Sequence, residues 1–411
     1  MMRVTLATMA MKPRATIAAV AAGAILVVGA GATVGSQFFG SSHQADHPVA
    51  SSVPQSTTNT TPVAMVSRPG EQIVTLTLPG GDYTPAPPNG GTDDYRCFVL
   101  DLPSGASGAA TGFEVVPGNK DVTHHAILYR VNPDQVAAAE ALDAKDPGEG
   151  YECFGGSQVP QGRSGNPMKY LDNSDWLAAW APGGGPTSTP AGYGVSIPAG
   201  GKVVLQMHYN TRKASTPDNT IVRVRLAEPG QQLKPIVTSL LVAPVELPCL
   251  PGQTGPKCSR DAAITSVVTR FGNDSSRLIA GMHLICGQDF THPPVGPTTS
   301  CTRTISEPMT LFAVAGHMHK LGRSIQVDVN PDTPNSTRVL DVANYDFDQQ
   351  GAVPLAQPLQ LQAGDRVKVT CTHDQSLRGK LPGVPAEPQY VVWGEGTTDE
   401  MCLGVLVTGR G

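Results

Sequence analysis

Five histidines of this chain fall in three short apolar contexts. His124 and His125 are adjacent in "VTHHAILYR", His208 follows Gln206 by two in "GGKVVLQMHYNT", and His317 and His319 stand two apart in "LFAVAGHMHKLG". Neutral imidazole is a common ligand for Zn and Cu. Taken singly, each signal has a plain structural reading: His124 and His125 as one core and one surface histidine, His208 as a structural strand histidine, and His317 with His319 as a chance H-x-H. Taken together, the first half offers three imidazoles, enough for a metal site, and the second offers two. The second half therefore needs another ligand, and "GEGTTDEMCLGVLV" supplies Met401 beside Cys402. A thioether is a soft donor that suits Cu(I) better than Zn or Mg.

The elements that must carry these residues read as strands. Short β-rich runs alternate with turn clusters, among them "EQIVTLTL", "RCFVLDLP", "HHAILYRV", "KVVLQMHY" and "TIVRVRLA". After a break at "EPGQQLKP" (Glu228 to Pro235) come "IVTSLLVAPVEL", "RLIAGMHLI", "MTLFAVAGHMH", "SIQVDVN", "DRVKVTC", "QYVVWGEG" and "CLGVLVTG". This spacing predicts β-sandwiches. Side chains two apart on a strand share a face, so His317 and His319 point the same way, as do Gln206 and His208. His124 and His125 would point to opposite faces. Binding one ion would require a bulge or twist there, or the use of different ring nitrogens. The one helix-like stretch, "PDQVAAAEALDAKDPG", reads as about three turns between Pro133 and Gly148.

Composition agrees with an all-β chain: 45 Gly and 37 Pro among 411 residues mark many turns. A net charge of -5 with no basic tract argues against nucleic acid as a partner. Arg3, Lys12 and Arg14 precede the charge-free "ATIAAVAAGAILVVGAGATVG". Residues 1–40 thus read as a cleaved export signal or a retained anchor. Residues 41–70, rich in Ser, Thr and Pro, read as a disordered linker in which His43 and His47 are solvated. An even count of eight cysteines, all after the linker, implies disulfides in an exported protein, although spacing alone cannot pair them.

The segments "HHAILYR", "LAAWAPGGGPTSTPAGYGVSIPAGGKVVLQMHY", "LIAGMHLI", "FAVAGHMHKLGRS" and "GTTDEMC" resemble, in this order, the copper type II ascorbate-dependent monooxygenases, the family of peptidylglycine α-hydroxylating and dopamine β-monooxygenases. The resemblance covers about Tyr95 to Leu406. It implies two antiparallel jelly-roll-type β-sandwich domains packed side by side, over residues 71–230 and 231–411, with one copper in each. His124, His125 and His208 match the copper that supplies an electron, and His317, His319 and Met401 the copper that binds O2 and substrate. The implied reaction is hydroxylation of a C–H bond of a small organic substrate. O2 and ascorbate or an equivalent reductant are consumed, and the electron crosses a gap between the sandwiches. Gln206 is a candidate for orienting His208. The family pattern pairs Cys97 with Cys153 and Cys371 with Cys402. It offers no template for the other four cysteines, for which Cys249–Cys258 and Cys286–Cys301 are the expected pairs.

The chain departs from the peptide-amidating members where those hold a carboxylate. They carry an arginine two before the H-x-H, and an Asn and a Tyr after the Met-Cys. This chain has Ala315, Leu403 and Val405. A carboxylate calls for charge-assisted donors, so C-terminal glycine peptides are not the expected substrate. The extra N-terminal domain of the catecholamine-hydroxylating members and the lyase domain of some amidating members are also not expected. An exported monooxygenase is the leading expectation. The alternative is a non-catalytic copper-binding protein on the same scaffold. A purely structural sandwich would leave the complete ligand set without a use. Any membrane contact would be through the N-terminal segment.

Overall fold

Strand after strand forms where β-branched and aromatic residues alternate with polar ones, and two sandwiches result. The computed structural model describes residues 64–103, 108–160, 171 and 174–411. The expected signal or anchor and most of the linker lie outside these residues. Among the described residues no helix is long and apolar enough to cross a membrane.

A five-stranded antiparallel sheet runs in the order Tyr151–Glu152, Asp93–Leu100, Lys202–Asn210, Thr123–Val131, Trp176–Trp180. Its central strand, Lys202–Asn210, is buried from Val203 through Tyr209. A core of Phe98, Leu128, Leu205, Met207, Val222 and Val224 packs this sheet on Gln72–Thr77, Ile221–Leu226, Gly108–Val116 and Tyr193–Ile197. Those four strands begin a nine-stranded sheet that continues through Lys234–Val242, Leu403–Gly409, Met309–His317 and Val353–Leu361, with Thr187–Ser188 paired beside Gly108–Val116. Continuity comes from a parallel pairing in which Lys234 meets Tyr193 and Pro235 meets Gly194. The later strands pack on a four-stranded sheet, Thr298–Thr304, Arg366–His373, Gly322–Val329 and Thr337–Val342, through Leu241, Leu311, Val314, Ile325, Val327, Val369 and Leu406.

Two glycines let these later sheets meet. A Cβ on Gly316 would lie 2.7 Å from Ile325 Cγ2, and one on Gly404 would lie 3.4 Å from Val327 Cγ2. Gly316 and Gly404 are register partners, so they mark the face turned to the core. Ala315 and Val405, the neighbouring pair, face the other way, as do His317 and Leu403.

The helices differ from the sequence reading. The stretch after Pro133 forms a 3-10 turn, Pro133–Gln135, and an α-helix, Val136–Asp143, of little more than two turns. "RLIAGMHLI" is not a strand but part of the helix Asp274–Ile285. Its apolar run suits either state, but Ile279, Met282 and His283 are buried while Leu284 is 79% exposed, which is a helical stripe and not an alternation. A further helix, Arg260–Phe271, begins where the Ser259 hydroxyl accepts from the Ala262 amide. "QYVVWGEG" contributes only the two-residue strand Val391–Val392.

Four disulfides are present: Cys97–Cys153, Cys249–Cys258, Cys286–Cys301 and Cys371–Cys402. The last ties the residue after Met401 to the Arg366–His373 strand across a sequence separation of 31. A Cys371→Ala, Cys402→Ala double variant is expected to lose about 2–5 kcal/mol of stability. Denaturant unfolding at matched conditions measures it.

Candidate metal centres

His124, His125 and His208 converge because the strand that carries the first two is bulged. Thr123–Val131 pairs with Lys202–Asn210, Thr123 opposite Tyr209 and His125 opposite His208, with a register shift between Thr123 and His125. His124 is the extra residue. The bulge turns it to the same side as His125, which a regular pleat forbids. Their nitrogens form a triangle. His124 Nδ1 lies 3.0 Å from His208 Nδ1, and His125 Nδ1 lies 3.3 Å from each of the other two. An ion at the centre of such a triangle would sit about 1.9 Å from each nitrogen, close to the usual metal–imidazole bond of ~2.0–2.1 Å.

The tautomer of His208 is set by Asp93. His208 Nε2 is 2.9 Å from Asp93 Oδ1, so Nε2 carries the hydrogen and Nδ1 keeps its lone pair. Burial would raise the Asp93 carboxyl, but hydrogen bonds from His208, Thr397 and Asn210 outweigh it and hold the group far below the usual carboxylate range. Tyr95 stacks on the His208 ring at 4.0 Å, and its hydroxyl donates to the Glu395 carbonyl at 2.7 Å. Asp93→Asn is expected to weaken metal binding at the triad by about 10–100-fold, since the partner of a ligating imidazole sets its orientation and basicity. Competition with a chromophoric chelator measures this.

Gln206 does not orient an imidazole. Its amide donates to the Cys153 and Gly156 carbonyls and accepts from the Tyr129 hydroxyl, so it fastens the loop after the Cys97–Cys153 bridge. Asp93 holds that place instead. The sequence gives no local sign of this: Asp93 lies 115 residues away, on a neighbouring strand where Asn210 is its register partner.

His317 ends its strand, and His319 lies in the turn beyond it. The two rings are 5.2 Å apart and nearly perpendicular. His317 Nδ1 bonds Gln350 Oε1, whose amide nitrogen donates to the Phe347 carbonyl, so Nδ1 carries the hydrogen and Nε2 remains as a donor to metal. His319 is held from the far end of the chain. Its Nδ1 donates to the Asp399 carbonyl at 3.2 Å, and its backbone amide donates to Glu400 Oε2 at 3.0 Å. His319 Nε2 is then buried without a hydrogen-bond partner among the described residues. A buried acceptor left in this way suits a metal ligand. Met401 is buried and follows Glu400 directly, two residues before Leu403, the register partner of His317. The buried His373 reaches the Met401 carbonyl at 3.2 Å, a support that the sequence reading did not anticipate.

The two groups of imidazoles meet. The His125 and His317 rings are 5.8 Å apart, and Phe347 stacks on His124 at 4.3 Å while standing edge-on to His319 at 6.2 Å. The expected gap between the sandwiches is therefore closed here. His124, His208 and His319 are buried at this junction, while His125, His317 and Phe347 are half-buried. Burial, then the mutual repulsion of imidazolium charges, depresses His124 and His125 well below the ordinary histidine value and brings His317 to about 3. Burial lowers His319 as well, opposed in part by Glu400. All four rings are therefore neutral near pH 7, the form that binds metal.

Similarity to solved structures is slight. The chain is 8% identical to the major capsid protein P2 of bacteriophage PM2, at a TM-score of 0.30, covering 82% of this chain and 97% of that one. Allantoicase of Saccharomyces cerevisiae is 11% identical at a TM-score of 0.17, covering 83% of this chain and 90% of that one. Scores this low carry no argument. The sequence match is of another kind. Residues 281–407, the stretch that contains His317, His319 and Met401, match the family described as "Copper type II ascorbate-dependent monooxygenase, C-terminal domain". Over residues 281–407, the chain therefore carries a match to the C-terminal domain of the copper type II ascorbate-dependent monooxygenases.

Proposed function

We propose that this protein is an exported copper monooxygenase that hydroxylates a C–H bond of a small organic substrate, using O2 and ascorbate or an equivalent reductant. The observation that carries the reading is the triangle of Nδ1 atoms from His124, His125 and His208, which fits one ion, beside the unpartnered Nε2 of His319. We assign two coppers, one held by His124, His125 and His208 and one by His317, His319 and Met401. Copper in these positions would supply one-electron chemistry and a place for O2 to bind. The chain supplies the rest. Asp93 and the Asp399 carbonyl fix the tautomers of His208 and His319, and Gln350 that of His317. Phe347 packs against both histidine groups. His125 and His317 bring the two ligand sets within 5.8 Å, ring to ring, where coppers held there would be near neighbours.

The substrate, in this reading, is not a C-terminal glycine peptide. Ala315 and Val405 are register partners on the face that also carries His317 and Leu403, and none of Ala315, Leu403 and Val405 offers a donor to a carboxylate. Export is supported by the four disulfides, which persist in oxidising compartments. The two-domain division at about residue 230 is supported by the separate cores of the two sandwiches.

The test loads the purified protein with copper, adds ascorbate and O2, and follows substrate-dependent oxygen uptake over a panel of neutral, anionic and cationic small molecules. Coupled uptake with a hydroxylated product supports the reading. Two bound coppers with no coupled uptake for any candidate favour the alternative, a copper-binding protein without turnover.

A further inference from the structure

We infer that Thr397 is a positioning residue for His208, and that the loop from Glu395 to Met401 joins the two candidate centres into one mechanical unit. The inference rests on the metal reading of both centres.

The Thr397 side chain, in the second half of the chain, donates to Asp93 Oδ1 at 2.5 Å. The same oxygen takes His208 Nε2 at 2.9 Å and Asn210 Nδ2 at 3.0 Å, and Asn210 also reaches Thr397 Oγ1 at 3.1 Å. Asp93 is thus aimed at His208 by a hydroxyl that comes from 304 residues away. Thr397 is 1% exposed, so water cannot replace it readily. The Tyr95 hydroxyl, bonded to the Glu395 carbonyl, ties the ring stacked on His208 to the same loop.

The other end of the loop serves the second centre. Asp399 offers its carbonyl to His319 Nδ1, and Glu400 takes the amides of His319 and Leu321. Met401 comes next. The loop between is closed on itself: the Asp399 amide donates to the Gly396 carbonyl at 2.8 Å, and the Gly396 amide donates to Asp399 Oδ2 at 2.9 Å. Arg270 clamps that carboxylate with two hydrogen bonds, at 2.9 and 2.6 Å. A Cβ on Gly394 would lie 2.6 Å from Asp399 Oδ2, so the Asp399 side chain packs directly against the Gly394 backbone. A small displacement at Thr397 must therefore reach Asp399, Glu400 and Met401. By linkage, filling one centre then changes the affinity of the other, by the same factor in each direction.

Two measurements test this. First, Cu(I) affinity of the triad is read by chelator competition in a His317→Ala, His319→Ala background, with and without Thr397→Val. Thr397→Val is expected to weaken the triad by about 10–100-fold, the range for partners of ligating histidines, and Thr397→Ser to restore it. Second, nitrogen-15 NMR of metal-free protein reads the His208 tautomer, which Thr397→Val should shift from a single Nε2–H form toward a mixture. A merely structural threonine would lower the melting temperature but leave tautomer and affinity in place, and that result overturns the inference. Equal loss in Thr397→Val and Thr397→Ser overturns it too. Failure of the background protein to bind one Cu(I) would instead sink the metal reading itself, which separates the two failures.

Discussion

His317→Ala should bind about one copper where the wild-type protein should bind two, and any hydroxylation should fall by more than ~100-fold, beyond the ~10–100-fold typical of residues that only support a ligand. The reason lies in the ligand count. His317 has its Nδ1 occupied by Gln350, so only Nε2 is available to an ion, and His319 likewise keeps only Nε2. Removing one of two imidazoles leaves His319 and Met401, a pair too poor to hold copper against competing ligands in solution. The triad should stay loaded, because its three nitrogens and Asp93 are untouched. Metal analysis, with copper spectroscopy to show which set remains, decides the matter. Two coppers retained in the variant would sink the assignment of His317.

The second large effect is on acid stability of the metal-free protein. His124, His125, His317 and His319 are all depressed in the folded state, chiefly by burial, with His317 at about 3. Above about pH 6.5, the ordinary histidine value, neither the folded nor the unfolded chain protonates these rings. Below it the unfolded chain takes up protons that the folded chain refuses, so stability falls as pH falls. For His317 the loss continues until about pH 3 and then levels, since the folded state then takes its proton too. Each such histidine contributes up to about 1.4 kcal/mol per pH unit within its window, so four of them make the slope steep. Denaturant midpoints of metal-free protein at pH 7 and pH 5 should therefore differ strongly. His317→Gln should show a shallower drop, and copper should delay it by occupying the nitrogens. Parallel curves for wild type and His317→Gln would rule out this origin.

Much of the candidate chemistry could be read from residue types. No single histidine or methionine stands out, since Met207, Met282, Met309 and Met318 are as buried as Met401; the candidates emerge only when the three histidine segments are taken together. The need for a bulge at His124 follows from the alternation of a strand, and the register shift supplies it. Other features were hidden for physical reasons. Asp93, Thr397 and His373 act across pairings between remote strands and loops, which no local pattern encodes. Gln206 shares a face with His208 in principle, yet its amide finds closer partners in the Cys153 loop. The helix Asp274–Ile285 was misread because a short apolar run fits two periods, and only its packing chooses between them. His319 is aimed by Glu400 and Asp399 and not by strand geometry alone.

The unbroken nine-stranded sheet also bears on how the two sandwiches can move. Main-chain hydrogen bonds run across the junction of the two sandwiches where Lys234 and Pro235 lie against Tyr193 and Gly194. Such a seam, although only two residue pairs long, resists stretching and shearing within the plane of the sheet. The sandwiches are then ill suited to sliding or drawing apart at this junction.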